Sequence, residues 1–501
     1  MKKIIYIVGL LSVISLSSCN SYLEQENPNK ITKETFFKTS DDFDQALAAA
    51  YTPLRNTNGG YYNVRALELR NYRGDDVSVR NDTETLYQIH LFINSPDNKT
   101  SESLFNELYS GIYRANMILE EIANSDLSTD YKNEISGEAY FLRGINYFFL
   151  TKEYKDVPLR LTASQSAEDY AIAKSSQTEI YAQIEKDLSK AVELLSVEPV
   201  FNGRATKGAA LAYLGKMYIY AEQWEKAIAT LEPLTSSPYA YALTSNYHDN
   251  FDLDHEFNSE SIFEVAYQKV GAGTDRWGSE SSTTMMTTPM NRIYGCGDVG
   301  GWDICNGSPK ALTLFTQEND QAGNTDPRVL SEAAWNYPGC IYYLKPFTEV
   351  VSESNINKIY VRKYSYCDYS EKEIVPESEI NIRAYRYANV LLYLAEAYHN
   401  TGNDVKAISY LNQIRRRADL NELATSVSGE AVMNDIIHQR AIEFFCEGER
   451  FYDLRRWGLL EQEIKNSSDI RASNYQTKYD YLPIPSQEIQ TNNLCEQSAG
   501  W

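Results

Sequence analysis

Apolar residues recur every three to four positions through most of the chain, a pattern that predicts amphipathic α-helices. The run 39–55 opens with Thr39 and Asp42 in the spacing of a capping box, so a helix should begin there. Comparable runs predict further helices at about 101–124, 131–152 and 176–195. The chain is therefore expected to be mainly α.

Two segments, 211–234 and 391–414, repeat one spacing of apolar and small residues. The residues at offsets 0, 4, 13 and 17 are Leu214, Tyr218, Ala227 and Leu231 in the first, and Leu394, Tyr398, Ala407 and Leu411 in the second. This spacing is typical of tetratricopeptide helix pairs, in which two antiparallel helices nest. Residues 137–159 form a looser third candidate. We expect these pairs to stack into an α-superhelix.

Residues 238–380 interrupt the helical pattern with a stretch rich in Gly, Ser, Thr, Asn and aromatic residues. We expect an irregular, loop-rich region there with a few short strands. So long an irregular stretch inside a folded protein usually carries function.

The N-terminus has the composition of an export signal. Lys2 and Lys3 precede the apolar run 4–16, which is too short to span a bilayer. The run ends in Leu16-Ser17-Ser18-Cys19, which resembles a bacterial lipoprotein cleavage box; an ordinary secretory signal is the alternative. We predict a signal peptide at 1–18, an acylated Cys19, a tether at 19–30 and one domain at 31–501. No later apolar run is long enough to cross a membrane.

The formal charge of −22 argues against nucleic-acid partners, because few basic clusters are present to displace counterions from phosphates. Tyrosine is abundant, with 39 Tyr against 17 Phe. Its apolar ring and polar tip suit sugar-facing surfaces, although packing between amphipathic helices explains most tyrosines equally well.

The stretch 292–307, RIYGCGDVGGWDICNG, contains glycines in the spacing of a dinucleotide-binding loop. A phosphate cradle would need a strand before these glycines and a helix after them, and the flanking sequence predicts neither. The spacing of Cys296 and Cys305 does not match a zinc site, and no histidine pair lies near them. A disulfide between these two cysteines is as plausible as two free thiols. We expect neither a cofactor nor a metal.

The stretch 439–458 concentrates charged side chains on one predicted helix and its exit. They are Arg440, Glu443, Glu447, Glu449, Arg450, Asp453, Arg455 and Arg456. With Arg and Glu three and four positions apart, an ion-pair network is the simplest interpretation, and a catalytic cluster is the alternative. Cys446, within the same stretch, is expected to be a buried free thiol.

The same stretch resembles the signature of the SusD/RagB family of surface lipoproteins. The matching pattern is Glu-x-x-x-Glu-Gly-x-Arg-(aromatic)-x-Asp-Leu-Arg-Arg-x-Gly, at Glu443–Gly458. Further matches are FLRGINYFFLTKEYKDVPL, in which Lys155 replaces the usual glycine, SESIFEVAY (259–267), NTDPRV (324–329), RYANVLLYLAEAYHNTG and YLPIPSQEI (481–489).

The resemblance implies a mostly helical body with tetratricopeptide-like pairs, anchored by lipid on the outer face of the outer membrane. It also implies a protein without enzymatic activity that delivers oligosaccharides to a SusC-type TonB-dependent transporter. A minority of the family handles peptides, so a peptide-binding subunit of the same kind of importer is the alternative.

For such a protein, we predict that the glycines of 292–307 shape a loop that presents aromatic rings to a sugar. The candidate rings are Trp302, Tyr294, Trp277 and Trp335, and the candidate polar partners are Asn71, Tyr72, Arg73, Asp75 and Asn81. The alternative for each ring is burial beneath its own loop. Trp224 and Trp457 lie on predicted helices and are expected to belong to the core.

Overall fold

The computed structural model describes residues 36–56, 59–163, 167–268, 287–373, 378–467 and 469–501. The predicted signal peptide, the tether with Cys19, and Trp277 lie outside these ranges. Within them the chain is mainly α-helical, as predicted. None of the helices in this part of the chain is both long and apolar enough to cross a membrane.

Several helices of the N-terminal half begin at a polar residue whose side chain caps the first turn. Thr39 caps the first one through a capping box with Asp42, as predicted, and Ser176 and Glu179 form a second box. These helices are α1 Ser40–Tyr51, α2 Val64–Tyr72, α3 Glu84–His90, α4 Lys99–Asn124, α5 Thr129–Tyr154, α6 Ala167–Tyr170, α7 Gln177–Leu194, α8 Lys207–Tyr220 and α9 Trp224–Leu231.

Short helices occupy the irregular region, and longer ones return after it. They are α10 Met290–Tyr294, α11 Pro309–Phe315, α12 Pro327–Glu332, α13 Phe347–Val350, α14 Tyr387–Asn400, α15 Asp404–Arg417, α16 Glu430–Glu443, α17 Arg450–Arg456, α18 Leu460–Lys465, α19 Arg471–Asn474 and α20 Ser486–Thr491. Short 3₁₀ turns lie at Thr52–Leu54, Glu232–Thr235, Tyr247–Asn250, Gly297–Val299 and Thr477–Asp480.

The long helices pack as successive neighbours: α4 on α5, α5 on α7, α7 on α8, α8 on α9, α9 on α14, and α14 on α15. The two repeated segments are the pairs α8–α9 and α14–α15, so both tetratricopeptide-like pairs are confirmed. Their repeat residues Leu214, Ala227, Leu231, Leu394, Ala407 and Leu411 are buried. The third candidate is wrong, because 137–159 is the end of the single helix α5 followed by a strand.

Ten short strands form five two-stranded antiparallel pairs in the described part of the chain. They are β1 Val77–Val79 with β5 Cys305–Gly307, β2 Val157–Pro158 with β3 Lys174–Ser175, β4 Ser261–Val265 with β10 Ile382–Arg386, β6 Ala333–Ala334 with β9 Tyr360–Val361, and β7 Ile341–Tyr342 with β8 Lys345–Pro346. Most of them lie in the predicted irregular region, which is therefore a set of short ladders laid against the helices.

Buried ions connect this irregular region to the helices. Glu443, at the end of α16, accepts hydrogen bonds from Arg417 at 2.6 Å, from Arg386 at 2.8 Å and from Arg328 at 3.2 Å. Arg386 also pairs with Glu447 at 2.8 Å. We call Arg328, Arg386, Arg417, Glu443 and Glu447 the Glu443 network.

The network interpretation of the stretch 439–458 is thus confirmed, but most of its partners are distant in sequence. Glu449 pairs with Lys216 at 2.7 Å, and Arg450 with Asp75 at 2.8 Å. Only the Asp453 contacts with Arg440 and Arg456 stay within the stretch. The stretch therefore connects segments from across the whole chain.

Candidate functional site

Two segments that the sequence singled out separately, 70–82 and 292–307, are neighbours in the fold. Strand β1 pairs with β5, so that Val79 lies opposite Cys305. The ladder continues with Arg80, whose amide donates to the carbonyl of Ile304 at 2.8 Å. The residues that follow Arg80 and those that precede Ile304 therefore share one end of this ladder.

The glycines of 292–307 shape a compact loop. Gly300 has φ +99°, a conformation that favours glycine, and a Cβ on Gly301 would lie 2.1 Å from the backbone of Gly295. Helix α10 precedes the loop and strand β5 follows it, the reverse of a dinucleotide-binding arrangement. The tight-turn interpretation of these glycines is confirmed.

The loop is fixed at both of its edges. The Trp302 amide donates to the Arg292 carbonyl at 2.5 Å, and that of Asp303 to Gly295 at 3.0 Å. Asp298 accepts hydrogen bonds from the amide and hydroxyl of Ser352, both at 2.9 Å. Burial alone would raise the pKa of Asp298, but the hydrogen bonds that it accepts outweigh this and lower it.

Trp302 is half-buried, with its ring packed against the main core. Asp303 beside it pairs with Lys358 and accepts a hydrogen bond from Asn306 at 2.9 Å. At the same end of the ladder Arg80 and Asn81 are exposed, and Arg80 pairs with Asp82 at 3.1 Å. We call Arg80, Asn81, Asp82, Trp302 and Lys358 the Trp302 surface.

The structure does not place Asn71, Tyr72, Arg73 or Asp75 on this surface, so their prediction as ligand partners is wrong. All four are buried because α2 and the turn after it lie inside the protein. The Tyr72 hydroxyl donates to Glu68 at 2.7 Å, and Arg73 pairs with Glu153. Of the polar partners predicted in 70–82, only Asn81 is exposed.

Tyr294 does not project from its loop, contrary to prediction. Its side chain is fully buried, and its hydroxyl accepts a hydrogen bond from Asn71 at 2.9 Å. Asn71 donates equally to the carbonyl of Cys446. Tyr294 and Asn71 therefore connect the loop 292–307 to the stretch 439–458, which contains Cys446, in the interior of the protein.

Trp335 is half-buried between aromatic neighbours. Its ring lies 6.0 Å from that of Phe315 and 4.5 Å from that of Tyr337, measured between centroids. A role for Trp335 in ligand binding stays a prediction. Trp224 and Trp457 are half-buried against the main core, in accord with their expected structural role.

The sequence left open whether Cys296 and Cys305 form a disulfide, and in the structure both are buried free thiols. Cys305 lies in the main core, as Cys446 does, whereas Cys296 lies in a smaller cluster with Tyr342 and Tyr360. The turn at Gly297–Val299 separates the two side chains into different cores. Cys446 is a buried free thiol, as predicted.

Asp249, Asp252 and His255 form a cluster of potential metal ligands in the described residues, with ligand atoms within 4.8 Å of one another. The Nδ1 atom of His255 already lies 2.7 Å from Asp252, in the geometry of an ion pair. The expectation that the protein binds no metal stays a prediction.

Comparison with known proteins assigns the fold to a family. A profile described as the SusD family matches residues 259–501, and one described as starch-binding, associating with the outer membrane, matches residues 21–219. A SusD superfamily protein of Bacteroides vulgatus, solved by crystallography, is 44% identical and superposes with a TM-score of 0.86, covering 93% of this chain and 100% of that one. The chain belongs to the SusD family.

Other SusD-like proteins align over nearly the whole length. SusD-like protein P25 of Formosa agariphila is 26% identical over 98% of this chain and 97% of its own. A solved SusD-like protein described as laminarin-binding has the same fold, with a TM-score of 0.77 at 24% identity over 93% of this chain and 100% of that one.

One departure of this SusD family protein from the family pattern is visible in the backbone. Lys155, which stands where the resemblance expects glycine, has φ +68°. The position therefore needs the left-handed conformation that glycine adopts at least cost.

One group of aromatic residues was not predicted from the sequence. Tyr239 and Tyr241 lie in a segment outside the helices and strands, and both line a groove that does not include the Trp302 surface. Their i, i+2 spacing places both side chains on the same side of an extended chain, a signal that was present in the sequence.

Proposed function

We propose that this SusD family protein captures oligosaccharides and binds them at the Trp302 surface. The observation that carries the proposal is a half-buried tryptophan, held on a glycine-shaped loop, beside exposed polar groups. A ring so fixed offers a flat apolar face to a pyranose without loss of side-chain freedom on binding. The starch-binding description of one matching profile and the laminarin-binding relative support a glycan as the ligand.

The polar groups around the ring suit a neutral sugar. Arg80 pairs with Asp82, and Lys358 pairs with Asp303. The surface therefore offers hydrogen-bond donors and acceptors together. Sugar hydroxyls both donate and accept, and a few such groups around an apolar face are typical of small-molecule sites. We propose binding without catalysis, since the surface positions no nucleophile beside a general base.

The location and the partner are part of the same proposal. We infer that Cys19 is acylated and anchors the protein to the outer face of the outer membrane, where it delivers glycans to a SusC-type TonB-dependent transporter. The signal sequence and the outer-membrane description of the matching profile support this. Metabolic labelling with an alkyne-bearing palmitate analogue in the wild type and in Cys19→Ala tests the anchor.

The ligand is tested by calorimetry on the purified protein with plant, microbial and host glycans. We expect one glycan class to bind, and Trp302→Ala to weaken that binding at least about tenfold through loss of the stacking face. Trp224→Ala is the matched control, because it removes another half-buried tryptophan that lies on helix α9. Binding of peptides but of no glycan would move the function to the peptide-binding alternative.

A further inference from the structure

A groove of about 430 Å³ lies between three segments, 197–206, 239–241 and 257–264. Its volume falls within the range of roughly 300–1,000 Å³ that small-molecule sites occupy. Strand β4 contributes Ile262 and Phe263 to its lining. Because its lining shares no residue with the Trp302 surface, it needs an explanation of its own.

Three tyrosine rings stack from the core toward this groove. Tyr387 is buried, and its ring lies 6.4 Å from that of Tyr241, at an interplanar angle of 28°. The ring of Tyr241 lies 6.0 Å from that of Tyr239, and these two planes differ by only 8°. The stack ends at Tyr239, which is half-buried and lines the groove.

The stack is held in place by close packing and hydrogen bonds. The Tyr241 hydroxyl lies close to the side chain of Thr206, the residue that caps helix α8. A Cβ on Gly208 would lie 2.2 Å from the Tyr241 hydroxyl oxygen, so only glycine lets the ring approach helix α8 this closely. The segment after the stack is pinned by the amide of Ala242, which donates to the Ser259 carbonyl at 2.9 Å.

The wall formed by the segment 197–206 is also fixed and carries polar groups. Arg204 donates to both carboxylate oxygens of Glu138, at 2.8 and 3.0 Å, and the amide of Ala205 donates to the Tyr51 hydroxyl at 2.8 Å. Asn202 and Glu198 on this wall are exposed. Both of them line the groove, as the tyrosines do.

An exposed aromatic residue marks the same wall. Phe201 is 68% exposed, the highest value among the large hydrophobic side chains of the described residues, and its neighbour Val200 is 49% exposed. Apolar side chains clustered beside a groove are typical of surfaces that bind something. The Arg204 guanidinium lies 5.9 Å from the centroid of the Phe201 ring, and this contact leaves most of the ring exposed.

We propose that this groove is a second carbohydrate-binding site, in which one pyranose ring stacks on Tyr239 while Asn202 and Glu198 hydrogen-bond its hydroxyls. The combination of a rigid aromatic face with amide, hydroxyl and carboxylate groups matches the alternation of apolar faces and polar edges in a sugar. A protein partner would instead favour an apolar centre with depleted charge. The site is separate from the Trp302 surface and can hold a second stretch of the same glycan.

The test uses the purified full-length protein carrying Trp302→Ala, so that only the second site can bind. Calorimetry measures its affinity for maltohexaose, laminarihexaose, xylohexaose and mannohexaose at millimolar concentrations. We expect at least one of these to bind with one site per chain, and an added Tyr239→Ala to weaken it about tenfold. Asn202→Ala, at an exposed position that folding does not need, should weaken it severalfold.

The control is Tyr113→Ala, which removes a 45% exposed tyrosine on helix α4; it should leave binding unchanged. The proposal of a second site is overturned if none of the hexaoses binds to the Trp302→Ala protein. It is also overturned if neither Tyr239→Ala nor Asn202→Ala weakens the binding. Wild-type binding that Trp302→Ala abolishes would overturn the second site alone. Failure of the wild type to bind any glycan would overturn the proposed function as well.

Discussion

The Glu443 network and the Trp302 surface both gather polar side chains from distant segments, but they differ in what those side chains contact. In the network, each ion faces ions of opposite charge inside the protein, and Glu443 is fully buried. At the Trp302 surface the charged side chains of Arg80 and Asp82 are exposed to solvent, and so is Asn81. A dense charge cluster in a sequence is therefore no guide to a binding site unless its partners are known.

The contrast has a physical origin. A buried charge is tolerated only where partners replace its lost hydration, so each residue of the network has to keep its ion-pair partners. At the Trp302 surface, by contrast, Arg80, Asn81 and Asp82 are exposed and keep their hydration. The network accordingly should control stability, and the Trp302 surface should control binding.

The largest effect is expected from Glu443→Gln. Removing this charge leaves Arg328, Arg386 and Arg417 short of a counter-ion in the interior, which should lower the free energy of unfolding by about 3–5 kcal/mol. Urea unfolding followed by circular dichroism measures it. Glu461→Gln is the matched control: Glu461 is exposed and pairs with Lys465 on α18, so the change should stay within about 0.5 kcal/mol. Equal effects of the two substitutions would contradict the buried role of the network.

A smaller effect is expected from acid acting on Glu449. Burial alone would raise the pKa of Glu449, but the ammonium groups of Lys152 and Lys216 outweigh it and lower the pKa from 4.5 to about 2. Because the folded state holds the carboxylate more strongly than the unfolded chain does, its contribution is complete above pH 4.5 and is lost as the pH falls from 4.5 toward 2.

The measurement compares the wild type with Glu449→Gln over this pH range. Above pH 4.5 the wild type should be more stable by about 3 kcal/mol, and the difference should shrink steadily as the pH falls below 4.5. A difference that is independent of pH would show that the charge of Glu449 contributes nothing.

The smallest effect on stability is expected from Asn81→Ala. Asn81 is exposed and lies at the end of the β1–β5 ladder, so unfolding should change by no more than about 0.5 kcal/mol. The affinity of the Asn81→Ala protein for the glycan that the wild type binds should nevertheless fall severalfold. A loss of stability without a loss of affinity would show that Asn81 contributes to folding and not to ligand binding.

The sequence predicted the helices more successfully than the candidate site. Helical periodicity and capping are local, so the runs 101–124, 131–152 and 176–195 match α4, α5 and α7 to within two residues at each end. The segment 70–82 supplied all of the predicted polar partners, yet it divides between buried Arg73 and exposed Asn81. That division depends on Glu153 and on strand β5, which lie far away in the sequence.

By itself, the sequence determined the two helical repeats, the turn-forming glycines and the family, because each is recognised from residue spacing within short segments; it also indicated that 439–458 forms ion pairs, but not with which partners. The tertiary structure alone decided which polar residues face solvent. It separated Cys296 from Cys305, buried Tyr294 behind Asn71 and aligned Tyr239 with Tyr241 and Tyr387. These outcomes depend on contacts between distant segments, because burial and pairing are set by what packs from the other side.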